Sequence, residues 1–108
     1  MRLVIAVVQD QDVHRLLAQL NEKRYSVTKL ASTGGFLRQG NTTLLVGVEK
    51  EQVAEVTDII KETCKAREQL VTPLATMSRT SSYMPAPIEV TVGGATIFVL
   101  DVESFAKV

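Results

Sequence analysis

Two strand-like stretches, one ending at Thr33 and the other running from Thr42 to Val48, are joined only by the short glycine-rich link inside TKLASTGGFLRQGNTTLLVGV, residues 28–48. A parallel pair needs a crossover of a dozen or more residues, so these two strands must pair antiparallel. In the first stretch Tyr25, Val27 and Ala31 share one parity while Ser26, Thr28, Leu30 and Ser32 share the other, the period of a strand that stops at Thr33-Gly34-Gly35. Helical spacing lies on both sides of this hairpin. Upstream, Val13, Leu16, Leu17 and Leu20 predict a helix over about Gln11 to Lys23, with Asp10 and Asp12 as capping oxygens and first-turn charge. Downstream, Val53, Val56, Ile59, Ile60 and Cys64 predict a second helix over about Lys50 to Cys64, with Glu49 and Glu51 at its positive end. The unbroken apolar run from Leu3 to Val8 reads as a strand in the middle of a sheet.

From Lys65 to Pro87 the chain turns to Thr, Ser, Met, Arg and all three of its prolines, with no clear period, which predicts a long functional loop. Ile88–Val92 and Ala95–Val102 are β-rich and flank Gly93-Gly94, the pattern of a second hairpin. The expected fold is therefore α+β: a ferredoxin-like β-α-β-β-α-β unit with an additional C-terminal strand, in a single domain spanning residues 1–108. Both helices would cover one sheet face. The first and third strands are apolar on both parities, so the other face needs a cover, which predicts an obligate oligomer with sheets facing inwards.

Composition removes several function classes. Twelve Lys and Arg balance twelve Asp and Glu, so the basic footprint of a protein that binds polymeric nucleic acid is absent. A lone Cys64, on the apolar face of the second helix, can form no internal disulfide and reads as a small core residue; this fits a reducing, cytoplasmic setting. The apolar run at the N-terminus is too short for a membrane span or a signal-peptide core. His14, the only histidine, lies in the first helix without a Ser, Cys or second His nearby in sequence, and most of the carboxylates fall in helix first turns or on solvated faces. No catalytic residue, metal site or cofactor is expected. Lys61, Lys65 and Arg67 read as charge that complements the dipole at the end of the second helix.

The tip of the central hairpin is different. Gly34, Gly35 and Gly40 permit turns and close approach, while Phe36 and Leu37 place large apolar groups where water would otherwise surround them. Asn41 offers a donor and an acceptor suited to an adenine edge, Thr28 and Thr42 offer hydroxyls, and Lys29 and Arg38 offer positive charge for a phosphate. A bound nucleotide and a contact between subunits explain this tip equally well.

The segments VIAVVQDQD, TKLASTGGFLRQGNTTLLVGV, REQLVTP and PIEVTVGGATIFVL resemble the PII-like cyclic di-AMP receptors of Gram-positive bacteria, and the resemblance covers essentially the whole chain. It implies a homotrimer of ferredoxin-like subunits that binds cyclic di-AMP at each subunit interface, has no catalytic activity, and passes its signal to a downstream protein partner. As in that family, the link between the second and third strands is short and the segment after the second helix is long. The ligand contacts implied by the resemblance are Thr28, Gly35, Phe36, Leu37, Asn41 and Gly47, with Phe98 from the strand after Gly93-Gly94. The sequence departs from the family pattern at Ser26, where members often carry Arg. A trimeric adaptor of the same fold that binds cyclic di-AMP weakly or not at all is the alternative. An amino-acid-binding regulatory domain would leave the long Pro-rich segment without a reason, and an RNA-binding module would want aromatics on the central strands.

Overall fold

The structure is a computed structural model that describes residues 1–30, 40–71 and 87–108. Strand β1 (Arg2–Gln9) leads into helix α1 (Asp10–Glu22), then β2 (Val27–Leu30) and β3 (Asn41–Val48). A 3-10 turn at Lys50–Gln52 opens helix α2 (Val53–Cys64), followed by β4 (Arg67–Val71), β5 (Ile88–Val92) and β6 (Ala95–Asp101). The main sheet has the order β2-β3-β1-β6, with every neighbouring pair antiparallel. Four strands in that order with two helices are consistent with the ferredoxin-like expectation.

Alternation decides which side is covered. Val4, Ala6 and Val8 of β1 and Leu44, Val46 and Val48 of β3 are buried against Leu16 and Leu20 of α1 and Val56, Ile60 and Cys64 of α2. Each such aliphatic side chain, once fully buried, contributes about 1.5–3 kcal/mol, so this one-sided layer is the main source of stability. The helix ends follow local chemistry. After Glu22 the chain reverses with Arg24 at φ 67°; the Tyr25 N–H donates to Leu20 O at 3.0 Å and the Arg24 N–H to Asn21 O at 2.9 Å, the hydrogen-bond pair of a Schellman stop. At α2 the expected start at Lys50 is a 3-10 turn stabilised by a reciprocal capping box between Glu49 and Gln52.

Three expectations need correction. Ile88–Val92 and Ala95–Asp101 do not form a hairpin with each other: β5 pairs with β4 in a separate two-stranded sheet, while β6 pairs with β1. The additional strand is thus not C-terminal. The last strand completes the main sheet, and the extra pair is inserted between α2 and β6, with Gly93-Gly94 as the pivot from one sheet to the other. Part of the presumed loop Lys65–Pro87 is strand β4, because Arg67–Val71 finds its ladder partner in β5. Finally, Asp12 and Arg67 do not serve their helix ends as solvated charges. Asp12 is fully buried, and its carboxylate receives Arg67 Nη2 at 2.7 Å and Nη1 at 3.4 Å. Arg15 Nη2 adds a third contact at 3.4 Å, and Asp10 accepts the Thr42 hydroxyl instead of capping α1. Hydrogen bonding to Asp12 holds Arg67 still more firmly in its charged form.

Candidate functional site

The face of the main sheet opposite the helices carries the features that point to a ligand. Ladder register places directly paired residues on the same side. Thr28 pairs with Leu45, Leu45 with Ile5, and Ile5 with Phe98, so these four form one row across the whole sheet. A second row runs Gly47–Leu3–Leu100, a third Leu30–Thr43–Val7–Thr96, and Asn41 stands opposite Gln9. Four of the expected site residues, Thr28, Asn41, Gly47 and Phe98, therefore share a single face. Gly35, Phe36 and Leu37 lie outside the described residues.

This face is apolar and open. Phe98 is 52% exposed, Leu100 47% and Leu30 41%, while Leu3, Ile5, Val7 and Leu45 are half-buried between them. A contiguous run of partly exposed apolar side chains on a small domain marks a surface that something covers. Two glycines answer different needs: Gly47 in β3 has no atom within 4 Å of the place its Cβ would occupy, leaving the row beside Leu3 flat, whereas Gly40, the turn residue just before β3, holds φ +94°. Its carbonyl accepts the Asp10 N–H at 2.8 Å, which ties the start of β3 to the start of α1.

Alternation also separates groups that adjacency in sequence had joined. Lys29 pairs with Leu44 and so lies on the helix side, away from Thr28. Thr42 is buried on that same side, its hydroxyl given to Asp10. Arg38 lies outside the described residues. As a result, no Lys or Arg from the described strands stands on the open face, and Ser26 at its border is exposed and uncharged. Among the described residues this face therefore offers amides, hydroxyls, backbone groups and apolar surface.

A model of the cyclic-di-AMP receptor family matches residues 1–108, the whole chain. The chain belongs to the cyclic-di-AMP receptor family. Among solved structures it is similar to a functionally unknown protein from Pediococcus pentosaceus ATCC 25745, at 44% identity, TM-score 0.79, covering 99% of this chain and 96% of that one. The open face carries the four expected contacts that fall within the described residues, and it also holds residues that sequence reading did not single out. Thr43 lies between Leu30 and Val7 and is buried, its Oγ1 without a hydrogen-bond partner among the described residues. Its parity with Asn41 and Gly47 was the available signal. Gln9, one residue beyond the apolar run Leu3 to Val8, borders a cleft of about 290 Å³ with Asn41, Gly93, Gly94 and Thr96. A second cleft, about 420 Å³, lies at the end of α2 beside Lys61, Lys65 and Ile97. His14 is exposed and Cys64 fully buried; burial pushes the Cys64 thiol up to about 11, with the Asp12 charge adding to it. Among the described residues no helix is long and apolar enough to cross a membrane.

Proposed function

We propose that this chain is a non-enzymatic signal transduction protein that binds cyclic di-AMP where the open sheet faces of neighbouring subunits meet in a homotrimer. The observation that carries this reading is the convergence of Thr28, Asn41, Gly47 and Phe98 on one uncovered apolar face in a member of the cyclic-di-AMP receptor family. An adenine ring packed on Phe98 gains about 1–3 kcal/mol from stacking, and the Asn41 carboxamide reads its polar edge. Gly35, Phe36 and Leu37 complete the site. Ligand binding shifts the population of the segments at the sheet ends toward one arrangement, in proportion to its preference for that arrangement, and a downstream protein partner reads the result.

Calorimetry against cyclic di-AMP, cyclic di-GMP and ATP tests the ligand. Micromolar or tighter binding of cyclic di-AMP alone is expected, with Asn41→Ala weakening it by about tenfold or more, equivalent to ~1.4 kcal/mol. No heat with cyclic di-AMP refutes the sensor reading. Light scattering tests the assembly, and a monomer at micromolar concentration refutes the shared-face site. One observation favours a second reading, a trimeric adaptor of this fold with little or no cyclic di-AMP affinity: the absence of a cation on the open face among the described residues, with Ser26 at its border. A trimer that gives no heat with cyclic di-AMP supports the adaptor.

A further inference from the structure

Gln9 ends β1 directly across from Asn41. Its Oε1 accepts the Gly93 N–H at 2.7 Å in a partly buried setting, and Gln11 Nε2 approaches the same oxygen at 3.4 Å. A backbone N–H can only donate, so Gly93 decides which end of the Gln9 carboxamide is the oxygen. The opposite end, Nε2 with its two protons, makes no hydrogen bond among the described residues. It belongs to a side chain that lines the cleft of about 290 Å³ with Asn41 and Thr96. Among the described residues no hydrogen bond fixes the Asn41 amide; Gln9 beside it presents one whose orientation is fixed by Gly93.

We propose that Gln9 is a further ligand-binding residue, whose Nε2 donates to an acceptor of the cyclic dinucleotide held at Asn41 while its Oε1 remains on Gly93. The proposal rests on the reading of this face as a cyclic di-AMP site. It gives Gln9 two tasks through two atoms, recognition through nitrogen and orientation through oxygen. It also links the ligand to the root of the β4–β5 pair, since Gly93 follows β5 directly and Arg67, the first residue of β4, is fastened to Asp12.

Gln9→Glu separates the two tasks, because a carboxylate still accepts the Gly93 N–H but donates nothing. Cyclic di-AMP affinity is expected to fall about tenfold or more in Gln9→Glu, while hydrogen exchange at the Gly93 amide stays as slow as in the parent chain. The loss is expected to persist at about 0.5 M salt, which screens the longer-range part of the repulsion that the added charge introduces. Gln9→Ala is expected to lose both affinity and Gly93 protection. Binding by Gln9→Glu within about twofold of the parent overturns the proposal and leaves Gln9 as a support for Gly93 alone, and a loss that disappears in salt overturns it as mere charge repulsion. If the parent chain itself gives no heat with cyclic di-AMP, the reading of the face fails and this proposal with it, an outcome distinct from failure of Gln9 alone.

Discussion

Gly93 and Gly94 both hold positive φ, +85° and +93°, yet the space around them differs enough to set up a matched experiment. Alanine at either position must adopt a left-handed backbone, which costs about 1–2 kcal/mol. At Gly94 nothing lies within 4 Å of an added Cβ, so that penalty is the whole effect. At Gly93 the Cβ meets Arg67 Nη1 at 2.6 Å, Lys65 O at 2.7 Å and Cys64 O at 3.0 Å. The guanidinium can swing aside. The two carbonyls belong to the chain leaving α2, and they move only if the backbone moves, an overpacking cost of about 1–3 kcal/mol more. Gly93→Ala is therefore expected to lose about 2–5 kcal/mol against about 1–2 kcal/mol for Gly94→Ala. For a domain of this size each kcal/mol moves Tm by roughly 4–8 °C, so Gly93→Ala should melt at least about 4 °C below Gly94→Ala. Thermal and urea unfolding at one fixed protein concentration provides the comparison, since association shifts both readouts. Equal stabilities refute the assignment of Gly93-Gly94 as a crowded pivot between two sheets and restore the simple turn.

Arg24→Gly is expected to stabilise the chain by up to about 1 kcal/mol in urea unfolding, because Arg24 takes the left-handed position of the Schellman stop at φ 67°, and the Cβ cost there of about 1–2 kcal/mol outweighs the unfolded-chain entropy of about 0.4–1 kcal/mol that glycine adds. Tyr25→Phe removes the 2.7 Å hydrogen bond from the phenol to Glu55 and is expected to cost about 0.5–1.5 kcal/mol by the same assay. The Cys64 thiol, raised by burial from 9.0 to about 11, keeps its proton in the folded state at pH values where the unfolded chain releases it. Its contribution to stability is complete below pH 9 and is lost as the pH rises through about 11, so the urea midpoint is expected to fall across that window. Tyr25, raised chiefly by its hydrogen bond to Glu55, acts in the same direction, so Cys64→Ala should flatten the fall without abolishing it.

The main sheet and both helices were legible because their signals are local. A short link admits only an antiparallel pair, unbroken apolarity marks β1 as central, and the 3.6-residue spacing of Leu16 with Leu20 and Val56 with Ile60 marks the buried stripes. Strand β4 has no such signal: Arg67-Glu68-Gln69 is polar, and the segment becomes a strand only by pairing with β5, which lies beyond residues 72–87. Gly93-Gly94 announces positive φ, but a hairpin turn and a pivot between sheets require the same backbone. The burial of Asp12 depends on Arg67, 55 residues away, whereas its position near a helix start gave a sufficient local explanation that was wrong. Of the site, the shared parity of Asn41 and Gly47 was readable from β3 alone. Adding Thr28 and Phe98 to their face required the register of two further ladders, and removing Lys29 from it required the same.

The two-residue step Gln9–Asp10 gives these scattered features a common physical origin. At this step β1 ends and α1 begins, and the exposed N–H groups of a helix start and the polar side chains around them need partners. The Asp10 N–H finds Gly40 O, where the chain returns from residues 31–39 into β3, and the Asp10 carboxylate takes the Thr42 hydroxyl. The Gln9 carboxamide takes the Gly93 N–H as the chain leaves β5, and one turn into α1 Asp12 takes Arg67 as the chain enters β4. The short β2–β3 link and the longer β4–β5 segment are thus both fastened to the same end of β1, through hydrogen bonds to Gln9, Asp10 and Asp12. A ligand that contacts Asn41 needs to move that step by only a fraction of an ångström to alter hydrogen bonds at the roots of both, because distances near 2.8 Å leave little slack before a bond weakens. If the open face holds the ligand as proposed, this shared anchorage would couple it to the β4–β5 pair without a path through the buried layer beneath the helices.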